Sequence, residues 1–308
     1  MTDVSPKPPV TTDSSRHTAK RDRTASRLAY LTVGLPTVGA VAAVVHASTS
    51  GLFASDVVAF VLMYAVTALG IEAGFHRYFA HRSFEAVNPV KVFLGISGSM
   101  ALQGPIIFWV ATHRVHHAYA DTERDPHSPR PRGSGPAKRW RGLWHGHVGW
   151  LFRVERMDWS RHCKDLLQDR GVMKMNAYYF HIALAGIVLP GLVAAAATQS
   201  VRGLIGGILW GGFARIFVLD HVTWMVNSLG HTIGSRPYPT RDGSTNIALL
   251  APPSVGGSWH NNHHARPSLA RTRRHWWQLD LAGDFIRLLN ILGLVSRVRA
   301  ETKGELGK

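Results

Sequence analysis

Residues 29–48 read AYLTVGLPTVGAVAAVVHAS and residues 52–71 read LFASDVVAFVLMYAVTALGI, and the two runs carry a single charged side chain, Asp56. Each matches the ~20 apolar residues an α-helix needs to cross the hydrocarbon core of a bilayer. The pattern returns downstream, where residues 176–201 carry no charge and residues 203–227 carry only Arg215 and Asp220. The connectors, around residues 49–51 and 200–202, have room only for a tight reversal. The sequence therefore predicts an all-α integral membrane protein built from two helical hairpins, with four transmembrane helices at about 29–48, 52–72, 177–199 and 203–226.

Charge orients these spans. The chain has 308 residues and a formal charge of +16, and of its 35 Lys and Arg, 6 fall in residues 1–27, 16 in 72–176 and 11 in 228–308. Basic segments are retained in the cytoplasm, so these three segments are expected on the cytoplasmic side. A soluble bundle of buried helices would not sort its charges this way. Nor does a nucleic-acid-binding protein, whose basic residues cluster on a soluble groove-reading domain. One cysteine excludes a disulfide framework, a zinc ribbon and a CxxC redox site.

Residues 1–27 read as a disordered basic tail, too long and polar for the start of a cleaved signal peptide. Residues 28–300 read as one membrane domain and 301–308 as a C-terminal tail. Residues 90–110 are apolar but interrupted by Gly95, Gly98, Gly104 and Pro105. They read as a helix on or dipping into the cytoplasmic leaflet, because a fifth span would separate His76 from the histidines that follow.

Eight of the 18 histidines fall in three motifs: His76 and His81 in HRYFAH, His113, His116 and His117 in HRVHH, and His260, His263 and His264 in HNNHH. Spacings of three and four put side chains on one helical face, so each HxxHH reads as half of a metal site. His76 and His81 are not on one α-helical face, so a helix is expected to end between them. His231 in NSLGH lies at the end of the fourth span, four residues after Asn227. Nine imidazoles exceed the coordination number of one ion, so two metals are implied. An all-nitrogen site suits iron and dioxygen, although zinc binds such ligands well.

Together with DPHSP (residues 125–129), HVGW (147–150) and the GSRPY after NSLGH, these motifs resemble the membrane-bound fatty acyl desaturases, in particular the stearoyl-CoA type Δ9 group. The resemblance runs from about residue 28 to about residue 270. It implies four transmembrane helices under a cytoplasmic helical cap that holds a di-metal site of two iron ions (Fe2+), with O2 as co-substrate. The implied ligands are His76, His81, His113, His116, His117, His231, His260, His263 and His264, with Asn227 acting through a water. His127, His145 and His147 would orient or support the ligands. Gln103, Trp109, Trp150 and Trp224 would line the acyl path, and Tyr64, with Phe60 near it, would close its far end. The implied reaction is a cis double bond in a long-chain acyl group, with membrane hydroxylation of fatty acid or alkane as the enzymatic alternative. A membrane metal carrier or sensor is the non-enzymatic one.

The sequence departs from the animal acyl-CoA enzymes just before HRVHH, where Ala111 and Thr112 replace an Arg-Asp pair that helps hold CoA. It also has a basic loop with Arg130, Arg132, Lys138, Arg139 and Arg141. The acyl carrier is therefore left open among CoA, acyl carrier protein (ACP) and a lipid ester. No haem, iron–sulfur or flavin signature is present, so the electrons are expected from a separate donor of ferredoxin, cytochrome b5 or flavin reductase type. Partners are otherwise membrane lipids, with no nucleic acid, and a bacterial inner membrane is expected rather than endoplasmic reticulum.

Overall fold

The computed structural model describes residues 22–129, 135–156 and 158–300. Most of the expected N-terminal tail, the whole of 301–308, and Arg130 and Arg132 lie outside the described residues. The helices are α1 (Arg23–Ser50), α2 (Ala54–Ala80), α3 (Asn88–Ser99), α4 (Ile106–Tyr119), α5 (Pro136–His147), α6 (Trp159–Leu167), α7 (Arg170–Ala177), α8 (Tyr179–Thr198), α9 (Val201–His231), α10 (His260–Ala265) and α11 (Leu281–Ile291). Of these, α1, α2, α8 and α9 are long and apolar enough to cross a membrane. The first helix begins at Arg23, within the stretch read as tail. Lys138, Arg139 and Arg141 sit on α5, not in a loop.

The outer surface of the four long helices is apolar. Only 22% of the most apolar window of α1 is buried, and Val38, Val41, Val61, Leu62, Leu184 and Leu192 are exposed. A water-soluble bundle would bury such side chains, whereas lipid tails solvate them. Helix α9 is the central member and packs on α1, α2 and α8. Gly207 permits this, since a Cβ there would lie 2.5 Å from the Pro190 carbonyl oxygen, and small residues let membrane helices approach closely. The two connectors are tied together by Arg202, which donates to Asp56 at 2.8 and 3.0 Å and to the Gly51 carbonyl at 2.7 Å. The buried Arg215 donates to the carbonyls of Gly211, Met100 and Gly186.

Residues 90–110 form no span. They fold as α3 and the start of α4, separated at residues 100–105. Helix α3 crosses α2 at Gly70, where a Cβ would lie 2.3 Å from the Gly98 amide nitrogen.

Beyond that crossing, Gly70–Ala80 winds as a π-helix. The helix ends at Ala80, between His76 and His81 as expected, but its last stretch is π-helical and not α-helical. In a π-helix the hydrogen bonds run i→i+5, and the His81 N–H donates to the His76 carbonyl at 3.1 Å. One wide turn therefore stacks the two histidines, with ring centroids 4.9 Å apart.

Two buried or half-buried arginines fix the end of α2 against the cap. Arg114 of α4 donates to the Phe79 and Ala80 carbonyls at 2.8 and 3.0 Å and to Asp165 of α6 at 2.7 Å, satisfying carbonyls that a helix end leaves free. Arg77 donates to the Ala270 carbonyl and to Asp280, both at 2.8 Å, and to Glu72 at 3.1 Å. A short antiparallel pair, β1 (Glu85–Ala86) with β2 (Val295–Ser296), fastens the C-terminal segment alongside.

Gly70→Ala should force α2 and α3 apart, because the added methyl meets backbone. We expect a stability loss of about 1–3 kcal/mol or more together with less bound metal, read by thermal unfolding and metal analysis in detergent. An unchanged melting temperature would contradict this crossing.

Candidate metal centre

The nine histidines named from the motifs gather into two groups at the end of the bundle remote from the short connectors. One holds His76, His81, His113, His117 and His263, the other His116, His231, His260 and His264, and within each group the ligand nitrogens lie within 4.8 Å of one another. Each HxxHH motif is divided between the groups, which corrects the reading that each is half of a site. In α4 the i and i+4 residues, His113 and His117, join the first group, and the i+3 residue, His116, joins the second. In α10 the arrangement is mirrored, with His260 and His264 in the second group and His263 in the first. On a helix the i+3 side chain leans to one side of i and the i+4 side chain to the other, so each helix serves both groups.

Carboxylates hold the outward nitrogens. His76 Nδ1 meets Glu72 at 2.9 Å, His116 Nδ1 meets Asp125 at 2.9 Å, His231 Nδ1 meets Asp121 at 3.0 Å and His264 Nδ1 meets Asp242 at 2.9 Å. A carboxylate accepting at Nδ1 fixes the tautomer and leaves Nε2 as a bare lone pair, the usual support for a metal-ligating histidine. These Nε2 atoms point inward at one another. His76 faces His263 at 2.9 Å, His81 faces His113 at 2.8 Å, His231 faces His260 at 2.9 Å and His116 faces His264 at 3.3 Å.

The last pair tests the fit of a metal. Both His116 and His264 give their Nδ1 proton to a carboxylate, so two acceptors face each other with no proton between them. A cation between the rings resolves this, and neutral imidazole nitrogen suits a transition metal.

Electrostatics favour the same state. Burial, and then neighbouring imidazoles, hold His81, His113, His117, His260, His263 and His264 well below the ordinary imidazole value. They are therefore neutral, as ligands must be. Burial pushes the Asp125 carboxyl up, but His116, His127 and the Asp121 N–H together outweigh it and keep the group below the usual carboxylate range.

Two cavities meet beneath the histidines. The first is lined by Gln103, Trp109, Trp150 and Trp224 among others, and the second by Ala68, Ile71, Leu219 and Val255 among others. Trp109, His113, Thr223 and Asn227 belong to both walls. At that junction the Gln103 amide donates to Thr223 Oγ1 at 3.0 Å and accepts from the Trp109 indole at 3.2 Å. Tyr64 lines neither cavity. It lies one turn before Ala68 and donates to the Pro253 carbonyl at 2.8 Å, with Phe60 stacked on it.

The supporting residues differ from those expected. His127 lies against His116, with centroids 4.4 Å apart, but the carboxylates that orient the clustered histidines are Glu72, Asp121, Asp125 and Asp242. His145 lines an outer cleft, and His147 bonds His221 at 2.9 Å and Ser228 at 3.2 Å, turned toward α9. Glu72 carried a readable signal, since it precedes His76 by four residues. Asp121 and Asp242 come from irregular segments and carried none.

The profile of the fatty acid desaturase family matches residues 53–288. The chain is 38% identical over 270 residues to a hex-5-enoyl-[acyl-carrier protein] acetylenase of Moorena producens (strain JHB), covering 87% of this chain and 84% of that one. It is 37% identical over 252 residues to an sn-1 stearoyl-lipid 9-desaturase of Anabaena variabilis, covering 80% and 84%. It is 35% identical over 256 residues to Delta-9 acyl-lipid desaturase 1 of Arabidopsis thaliana, covering 79% and 75%.

The depressed histidines set a pH dependence. Their folded values lie below the 6.5 of a free imidazole, so below about pH 6.5 the unfolded chain binds protons that the folded chain does not. Stability of the metal-stripped protein should therefore fall as pH drops from 7.5 to 5.5, seen as a falling melting temperature. A rise over that window would contradict the neutral, buried packing.

Proposed function

Because this chain belongs to the fatty acid desaturase family, we propose that its two histidine groups hold two iron ions (Fe2+) and that it forms a cis double bond at carbon 9 of a saturated long-chain acyl group. The observation that carries this reading is the junction of two cavities directly beneath paired all-histidine groups. The overall change consumes one O2, two electrons and two protons, and yields the alkene and two waters. Bound iron supplies the activation of dioxygen that removal of hydrogen from unactivated methylenes requires.

The chain's own residues bind and orient the substrate. The hydrogen-bonded set of Gln103, Trp109 and Thr223 fixes the wall at the junction, so an acyl chain passing from one cavity to the other is held at one point along its length. Holding it there places one methylene pair beside the histidine groups, and such positioning lowers the barrier by avoiding a search over conformers. Trp150 and Trp224 form the outer part of the path, and Tyr64, with Phe60 stacked on it, lies one turn beyond Ala68 of its inner wall. Asn227, in the wall of both cavities, holds a water toward the four-histidine group.

The carboxylates Glu72, Asp121, Asp125 and Asp242 keep the imidazoles neutral and aimed inward. The sorting of Lys and Arg supports a site on the cytoplasmic side of the membrane, and we place that membrane as a bacterial inner membrane. Electrons come from a separate donor. The relatives act on acyl-ACP and acyl-lipid substrates by their names, which supports an acyl ester or thioester here. The acetylenase relative favours one further reading, dehydrogenation of an acyl group that is already unsaturated.

Expression in desaturase-deficient bacteria, beside a His116→Ala variant, tests the proposal through gas chromatography–mass spectrometry of the membrane fatty acids. A new cis monoene at carbon 9, absent from the variant, is expected. A hydroxy acid or an alkyne would replace the proposed reaction. Iron-loaded protein that forms none of these with a chemical reductant and acyl substrate would overturn it.

A further inference from the structure

Three buried polar atoms along the first cavity have no hydrogen-bond partner among the described residues: Thr112 Oγ1, His127 Nδ1 and Trp150 Nε1. Their residues are 4%, 3% and 8% exposed, and all three line the cavity that also reaches His113 and Asn227. The nearest carboxylate to His127 Nδ1, that of Asp125, lies 3.8 Å away, beyond hydrogen-bond reach. An indole N–H can only donate, and a hydroxyl has a proton to give. Buried donors are almost always paired, so several unpaired ones on one cavity wall point to an acceptor that the cavity receives.

The chemistry of the substrate identifies that acceptor. A saturated acyl group is hydrocarbon throughout except at its carboxyl end, so the only polar atoms it can offer are those of its ester or thioester. Position agrees, because Trp150 also lines the neighbouring outer cleft, whose charged wall carries Arg124, Lys138, Arg141, Arg153 and Arg156 beside Asp121, Glu123, Asp125 and Glu155. The unpaired donors thus stand between an aromatic-walled cavity leading to the histidines and a charged outer cleft. A chain whose methylene pair lies at the junction would have its carboxyl end on this side, with its carrier outside.

We propose that Thr112 and Trp150, with His127 beside them, bind the acyl carbonyl oxygen and so make the enzyme count carbons from the carboxyl end. The proposal rests on the desaturase reading for its substrate class and adds positioning residues to it. Loss of one donor would loosen the register of the chain against the metal centre without touching a ligand.

The test uses the full chain with its metal bound and no reductant present, in detergent. Tritiated methyl octadecanoate and methyl octadecyl ether, which lacks the carbonyl oxygen, are compared by equilibrium dialysis. The wild type should prefer the ester by about 10-fold, the factor expected for one or two hydrogen bonds. Thr112→Val and Trp150→Phe should each bring the preference below about 3-fold, and Thr112→Ser should restore it. In turnover, Thr112→Val should raise KM more than it lowers kcat and give a second positional isomer, at unchanged iron content. Equal binding of ester and ether by the wild type, or full preference and a single isomer in Thr112→Val, would overturn the proposal. Because binding is read without turnover, a lost desaturase activity beside an intact ester preference would count against the reaction and not against the carbonyl site.

Discussion

Lone pairs that face one another without a proton between them are the constraint on which this structure depends. Nine imidazoles point Nε2 atoms into two volumes, each a few ångströms across, and in the His116–His264 pair the outward nitrogens are already committed to Asp125 and Asp242. Such packing is repulsive in the bare protein and attractive around cations. The long-range fastenings make sense as the means of holding it. Arg114 locks the π-helical end of α2 to α4 and α6, and Arg77 ties the same end to residues 270–280 while steadying Glu72, the partner of His76.

The membrane bundle supplies the rigid base. Its outer surface is solvated by lipid, so cohesion comes from close backbone approach at Gly207 of α9 and from the Asp56–Arg202 clamp across the connectors. Two of its helices, α2 and α9, run beyond the apolar spans and carry His76 and His231 on their ends. The centre is thus built directly on the spans, and the cavities open between those helices and α4. That arrangement lets an apolar chain reach the histidines while staying out of water.

Much of this was legible in the sequence because it follows from one-dimensional patterns. Uninterrupted apolar runs gave the four spans, and the histidine motifs named the nine histidines that the fold gathers. Two features were not legible. The π-helical winding of Gly70–Ala80, which starts at the close crossing with α3 near Gly98, is one, because α-helical arithmetic between His76 and His81 does not include it. The division of each HxxHH between two groups depends on α4 and α10 facing each other, so that an i+3 histidine of one helix meets the i and i+4 pair of the other. Asp121 and Asp242 were likewise invisible, since they reach the histidines from irregular segments that only the folded chain brings close.

The most direct measurement is the metal stoichiometry of the purified chain reconstituted anaerobically with Fe2+, read by mass spectrometric metal analysis against protein concentration. Two irons per folded chain are predicted. A plateau at one, or no retained iron in protein that remains folded, would contradict the paired-site account.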